Sequence, residues 1–215
     1  MTITESWRQI DRWLAQYAPA TYAVLAPPAT DAELEAVQKV VALPPDLIES
    51  LHCHNGLTTW TNILPEGQPS STTEIAANWQ LRMELAPDFD GFTVHPPNPE
   101  PYWHPSWIPW ADSEGDLHII DLRPGPAHGR LGMAYHDGTA DFFDSWPTLT
   151  AYLQAVVRAL HTGTGVSGWF LYLTTHQELW WDQGPNKTSV NDEPLVSAFR
   201  RDGRPGSEQG IPRGP

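Results

Sequence analysis

At 215 residues, with 11 Trp, 6 Tyr and 6 Phe, the chain is long enough for one sizeable core, and that core is rich in aromatic side chains. Its 26 acidic residues outnumber 12 Lys and Arg for a formal net charge of -14, a balance that repels nucleic acid and anionic membrane and attracts basic partners. The lone Cys53 excludes an intramolecular disulfide and a cysteine-rich zinc site, and with no leader-like start and no long apolar run the expectation is a soluble, cytoplasmic protein.

The acidity is unevenly placed. Residues 184–215 carry Asp192, Glu193, Asp202 and Glu208 against Lys187, Arg200, Arg201, Arg204 and Arg213, so the whole excess belongs to residues 1–183. Between Arg82 and Arg123 there is no Lys or Arg at all, whereas Glu84, Asp88, Asp90, Glu100, Asp112, Glu114, Asp116 and Asp121 fall there.

Thr2 and Glu5 stand at capping-box spacing, and Trp7, Ile10, Trp13, Leu14 and Tyr17 follow at helical spacing until Pro19, which predicts a first amphipathic helix. Thr30 and Glu33 repeat the cap before Leu34, Val37 and Val41. Leu43-Pro44-Pro45-Asp46 interrupts this second helix and opens a short third one through Leu47, Ile48 and Leu51, ended by Asn55-Gly56. Trp60 to Leu64 has strand character, and Ser71 with Glu74 caps a fourth helix carrying Ile75, Trp79 and Met83.

A proline-rich link from Pro87 to Pro105 precedes the strongest hairpin signal, Trp107 to Ala111 and Leu117 to Leu122 around Asp112-Ser-Glu-Gly-Asp116. A link this long is either functional or an insertion. Leu131 to His136 and Ala140 to Phe143 read as two further strands around Asp137-Gly138, making the sheet a meander. Ser145 and Pro147 signal a last helix through Leu149, Leu153, Val156, Val157 and Leu160, stopped near Gly163 and Gly165. Trp169 to Leu173 and Glu178 to Trp181 form a final strand pair, and the Gly- and Pro-rich stretch 184–215 is expected to be a disordered tail behind one domain spanning 1–183.

Catalytic and metal chemistry find little footing in these residues. His52-Cys53-His54 point in different directions around a helix and cannot share one metal, and the carboxylates of the hairpin turn lack the spacing of a calcium loop. Phosphate-cradling, nucleophile-elbow, zinc-protease and dinucleotide motifs do not occur. The expectation is a protein with no catalytic residues, metal or cofactor.

The order of these segments is informative as a set. A W-x-x-I-x-x-W-L helix, an E-L-x-x-V helix running into L-P-P-D-L-I-E-S-L-H-C-H-N-G, the W-I-P-W-A-D-S-E-G-D-L-H-I-I-D-L hairpin, a strand around Gly132-Met133 and a closing S-W-P-T-L-T-A-Y-L helix together resemble the SMI1/KNR4 family of the SUKH superfamily. The resemblance covers roughly residues 5–160. It implies an α+β domain, with a mostly antiparallel meander packed by N-terminal helices and a C-terminal helix. It also implies binding without catalysis: bacterial members commonly act as immunity proteins that neutralise a toxin, often a nuclease or deaminase, and fungal relatives regulate cell-wall synthesis.

Two groups of residues follow. Asp88, Asp90, Glu100, Asp112, Glu114 and Asp116 are the candidates for contact with a basic protein partner, because carboxylates imitate phosphate and speed encounter with a basic surface. Asn55, Gly56, Trp107, Pro109, Gly115 and Asp121 carry the family pattern and are expected to hold the fold.

Overall fold

A computed structural model describes residues 1–65, 67–143 and 145–198. The chain is mixed α+β, with its strands in two antiparallel sheets. Its described residues divide into two compact units: the first holds residues 1–25, 58–65 and 153–198, the second residues 26–57 and 67–152.

In the second unit, α3 (Asp31–Gln38) begins at Thr30, whose hydroxyl accepts from the Glu33 N–H while the Glu33 carboxylate accepts from the Thr30 N–H. The Thr30 N–H and the Thr30 hydroxyl, both donating to Glu33 Oε2, hold the Glu33 carboxyl below its ordinary pKa. Helix α4 (Pro45–Leu51) starts on a proline, whose missing N–H costs nothing at that position. It stops at Leu51, earlier than the Asn55-Gly56 signal. Helix α5 (Thr72–Leu85) has a third complete capping box on Ser71 and Glu74 and runs into a 3-10 turn, Ala86–Phe89.

The sheet of this unit is the expected meander, in order β1 (Gln68–Pro69), β2 (Trp107–Ser113), β3 (Asp116–Asp121), β4 (Leu131–Ala134) and β5 (Ala140–Asp141). Both outer strands are only two residues long. Strand β2 pairs with β3 from Trp107↔Asp121 to Ser113↔Asp116, with a bulge between Pro109 and Ala111. The hairpin turn is therefore two residues, Glu114 (φ 54°) and Gly115 (φ 97°), the primed geometry that matches strand twist. Asp112 and Asp116, expected in the turn, lie on the strands.

Helix α5 packs on β2, and the core between them gathers Ala86, Trp103, Trp107, Leu117, Ile119, Ala134 and Ala140, with Trp79, Met83, Tyr102 and Phe142 around it. Trp103 belongs to the proline-rich link, so that link contributes to the core and is not a bare insertion. Helix α6 (Leu149–Thr162) starts later than the Ser145 signal: the Thr148 hydroxyl accepts from the Ala151 N–H at 3.1 Å. Its first turn belongs to this unit, where Tyr152 meets Trp110 edge-on at 5.4 Å.

The first unit opens with α1 (Ile3–Tyr17), whose Thr2/Glu5 box is complete and whose Ile3, Trp7, Ile10, Trp13 and Leu14 are buried. Pro19 opens the four-residue α2 (Pro19–Tyr22). Its sheet runs β7-β6-β9-β8, with β6 (Trp169–Thr174), β7 (Leu179–Gln183), β8 (Ser189–Val190) and β9 (Glu193–Ser197). Two expectations are corrected here. Trp60 to Leu64 does not form a strand; Trp181 Nε1 instead donates to the Ile63 carbonyl (3.0 Å) and Asn62 Nδ2 to the Trp181 carbonyl (3.2 Å), so side chains and not a ladder fix this segment.

The stretch expected to be a tail from 184 onward contributes β8 and β9. Strand β9 pairs with β6 through Tyr172↔Ser197, Leu173↔Val196 and Thr174↔Leu195. Leu195, Val196 and Ala198 supply the apolar positions that the high Gly and Pro content obscured. Residues 199–215 lie outside the described residues.

Candidate functional site

The acidic segment and the hairpin beside it lie wholly in the second unit, and Arg82 organises them. This arginine is 4% exposed on α5. Its Nη1 donates to the Tyr102 hydroxyl (2.6 Å) and the Tyr135 carbonyl (2.9 Å), and its Nη2 to the carbonyls of Gly115 (3.1 Å) and Ala134 (3.3 Å). The guanidinium also lies 5.0 Å from the Tyr102 ring centre. One buried cation thus ties the helix, the proline-rich link, the hairpin tip and β4 together.

Asp121 forms the second node and is 1% exposed. Its Oδ1 accepts from the Arg123 N–H and Nε, and its Oδ2 from Arg123 Nη2 (2.7 Å) and Arg130 Nε (3.1 Å). Glu100 completes the set, accepting from Arg123 Nη1 (2.7 Å) and from Nη2 of both arginines (3.1 Å each). Burial alone would raise the Asp121 pKa, but the hydrogen bonds and charge of Arg123, with Arg130, outweigh it and hold the carboxyl below its ordinary value. The same carboxylates push the Arg123 pKa upward.

Aromatic rings close over the quartet. Arg130 Cζ lies 3.8 Å from the centre of Phe142, and Arg123 Cζ lies 5.2 Å from Trp107. Gly132 leaves the room that the Phe142 ring fills. His104, whose Nδ1 accepts from the Ser106 N–H at 3.0 Å, has its pKa lowered by burial and by the nearby Arg123 charge.

The candidate contact residues separate on this geometry. Glu100 faces inward: its side chain is 14% exposed and both oxygens are taken by arginines, so it is withdrawn from the exposed acids. Asp116 accepts from both the backbone N–H and Nδ1 of His136, each at 2.8 Å. Burial works against its charge, yet those bonds and the Arg82 charge leave its pKa lowered. Asp112 accepts from the Gly115 N–H at 3.2 Å while remaining half-exposed. Asp88, Asp90 and Glu114 are exposed, with Asp90 accepting from the Thr93 hydroxyl and lying 3.5 Å from His95 Nε2.

Sequence reasoning missed an apolar component. Leu81 and Leu85 stand one turn apart on the outer face of α5 and are 51% and 39% exposed, while Ile75, Arg82 and Ala86 are buried. Apolar residues on both faces of a helix were the available signal. Phe92 and Val94, in the link that follows, are exposed as well.

The family-pattern residues occupy structural positions. Asn55 Oδ1 accepts from the Thr72 N–H at 2.7 Å, satisfying a free donor in the first turn of α5. Gly56 has φ 77° and lies so close to Ser71 that a Cβ would sit 2.7 Å from its nitrogen. Asp46 accepts from the Thr150 hydroxyl at 2.7 Å, joining α4 to the start of α6. Trp107 is fully buried, Pro109 precedes the bulge, and Gly115 forms the turn.

Among the described residues no group of three or more His, Cys, Asp and Glu is placed to hold a metal, and no helix is long and apolar enough to cross a membrane. Cys53 donates to the Glu49 carbonyl at 3.4 Å, and His54 Nδ1 lies 3.0 Å from the Ala26 carbonyl.

An antiparallel meander packed by helices, with Arg82 and the Asp121–Glu100–Arg123–Arg130 quartet as its internal polar networks, defines a class of α+β domain. The family model for SMI1/KNR4 (SUKH-1) matches residues 28–155, and the chain belongs to that family. The match coincides with nearly all of the second unit and is narrower than the span expected from motifs. The chain is also 32% identical over 153 residues to the cell wall biosynthesis/cell cycle regulator smi1 of Schizosaccharomyces pombe, an alignment covering 61% of this chain and 30% of that protein. The chain thus corresponds to less than a third of that relative's length.

Proposed function

We propose that this chain is a non-catalytic protein-binding domain, and that it serves as an immunity protein neutralising a basic, nuclease- or deaminase-type toxin. One observation carries the reading: around the hairpin, Arg82, Arg123 and Arg130 are all engaged internally, while Asp88, Asp90 and Glu114 are exposed, as are Leu81 and Leu85 of α5. Exposed carboxylates together with exposed apolar side chains suit a basic partner, since charge steers the encounter and apolar burial retains it.

The test is twofold. Co-expression with a toxic product of an adjacent reading frame should restore growth and yield a co-purifying complex. Reversing Asp88, Asp90 and Glu114 to Lys should slow association at least about tenfold and flatten its dependence on salt. Absence of any toxic neighbour together with no protection would reject the immunity reading, and unchanged affinity in the reversal variant would reject the surface.

A second reading has its own support in the name of the fission-yeast relative. In it the same surface belongs to a regulatory or scaffolding module whose partner is not a toxin. Loss of a host phenotype on deletion, in cells carrying no toxin, distinguishes this reading from the first.

A further inference from the structure

The cations of residues 1–183 are Arg8, Arg12, Lys39, Arg82, Arg123, Arg130 and Arg158. Arg82, Arg123 and Arg130 are consumed inside the second unit. Of those that remain, Arg8, Arg12 and Arg158 stand on α1 and α6 within the first unit, all exposed. Lys39 lies in the second unit, so three of the four cations that remain in residues 1–183 belong to the first.

A cleft of about 380 Å³ opens there, lined by Glu5, Arg8, Gln9 and Arg12 of α1 and by His161 in the last turn of α6. The α1 residues follow the i, i+3, i+4, i+7 pattern, which sets them in one stripe along the helix. Neither Arg8 nor Arg12 forms an ion pair among the described residues. The lining carboxylate has another role, since Glu5 Oε2 accepts from the Thr2 N–H at 2.8 Å as part of the helix cap.

We propose that this cleft binds a phosphate group borne on a small hydroxyl-rich molecule. Two guanidinium groups one helical turn apart, joined by an imidazole from the facing helix, offer several planar donors to a tetrahedral oxyanion. The cleft falls in the range of small-ligand sites, roughly 300–1,000 Å³, and exceeds what a bare phosphate needs. Gln9 Nε2 already donates to Met1 Sδ at 2.8 Å, so its amide oxygen and second N–H, with the second oxygen of Glu5, are what hydroxyl groups would use. With the phosphate on the two arginines, the hydroxyl groups of a sugar or polyol would donate to the Glu5 carboxylate, which a bare phosphate would only face as a like charge.

The phosphate has two conceivable sources, a soluble sugar phosphate or a lipid headgroup, and the experiment separates them. The full chain is titrated calorimetrically with glucose 6-phosphate, and separately mixed with phosphatidylcholine vesicles with and without phosphatidylinositol 4-phosphate. Saturable binding with Kd below about 1 mM in either arm is the expected result, weakened at least about tenfold by the double variant Arg8→Gln, Arg12→Gln. Both arginines are exposed, so the variant should keep the wild-type circular dichroism spectrum and melting temperature. Backbone and side-chain NMR shifts of Gln9 and His161 on titration provide the second readout. No saturable binding in both arms, or binding that the double variant leaves unchanged, overturns the proposal.

Discussion

The Arg82 guanidinium donates to the carbonyl of Gly115 at 3.1 Å, so a buried cation on α5 holds the tip of the acidic hairpin from beneath. Replacing it by Met should leave the carbonyls of Gly115, Ala134 and Tyr135 and the Tyr102 hydroxyl without their donor. A loss of about 3 kcal/mol or more is expected in urea unfolding. Arg82→Lys should recover only part of this, because an ammonium cannot span the same fork of acceptors.

Acid should unfold the second unit through Asp121 and Asp116. Both carboxyls have native pKa values below the ordinary 3.8, so in acid the unfolded chain binds more protons than the folded one. Their contribution is complete above the unfolded value and is lost below about pH 4, as pH falls through the lowered native one. Thermal melts across pH 2–7 should show this acid limb, and Asp121→Asn should shorten it while costing roughly 2–4 kcal/mol at neutral pH.

Glycine substitutions should separate backbone strain from collision. Gly56→Ala meets both, φ 77° and the Ser71 nitrogen at 2.7 Å, and should cost more than about 2 kcal/mol. Gly115→Ala meets only φ 97°, with its nearest neighbour at 4.0 Å, and should cost about 1 kcal/mol. Equal losses in chemical denaturation would contradict the close approach at Gly56.

Truncation after Gln183 removes β8 and β9 and bares the edge of β6. Amides of Tyr172 to Thr174 should then lose protection in hydrogen exchange, and the protein should self-associate on size-exclusion chromatography. A monomer with protected β6 amides would show that β9 is dispensable to the first unit.

Local signals in the sequence translated well. The three capping boxes on Thr2, Thr30 and Ser71 each rest on residues three apart, and all three form. The meander was legible because each hairpin carries its own turn residues. What escaped depends on distant partners: Arg82 looked like one more helical cation, and nothing near it announced the carbonyls of Gly115 and Ala134. Glu100 similarly resembled a free acid, because Arg123 and Arg130, which bind it, stand 23 and 30 residues away. Strand β9 was missed because Pro194 and the surrounding turn residues outweighed its short apolar run.

The short outer strands of the meander bear on how recognition can evolve. With β1 limited to Gln68–Pro69 and β5 to Ala140–Asp141, the sheet offers an incoming chain almost no backbone to extend. A protein docking on this unit must read side chains, and exposed side chains can change one at a time while Arg82 and Asp121 keep the frame beneath them intact. Such a frame lets specificity drift without renegotiating the fold.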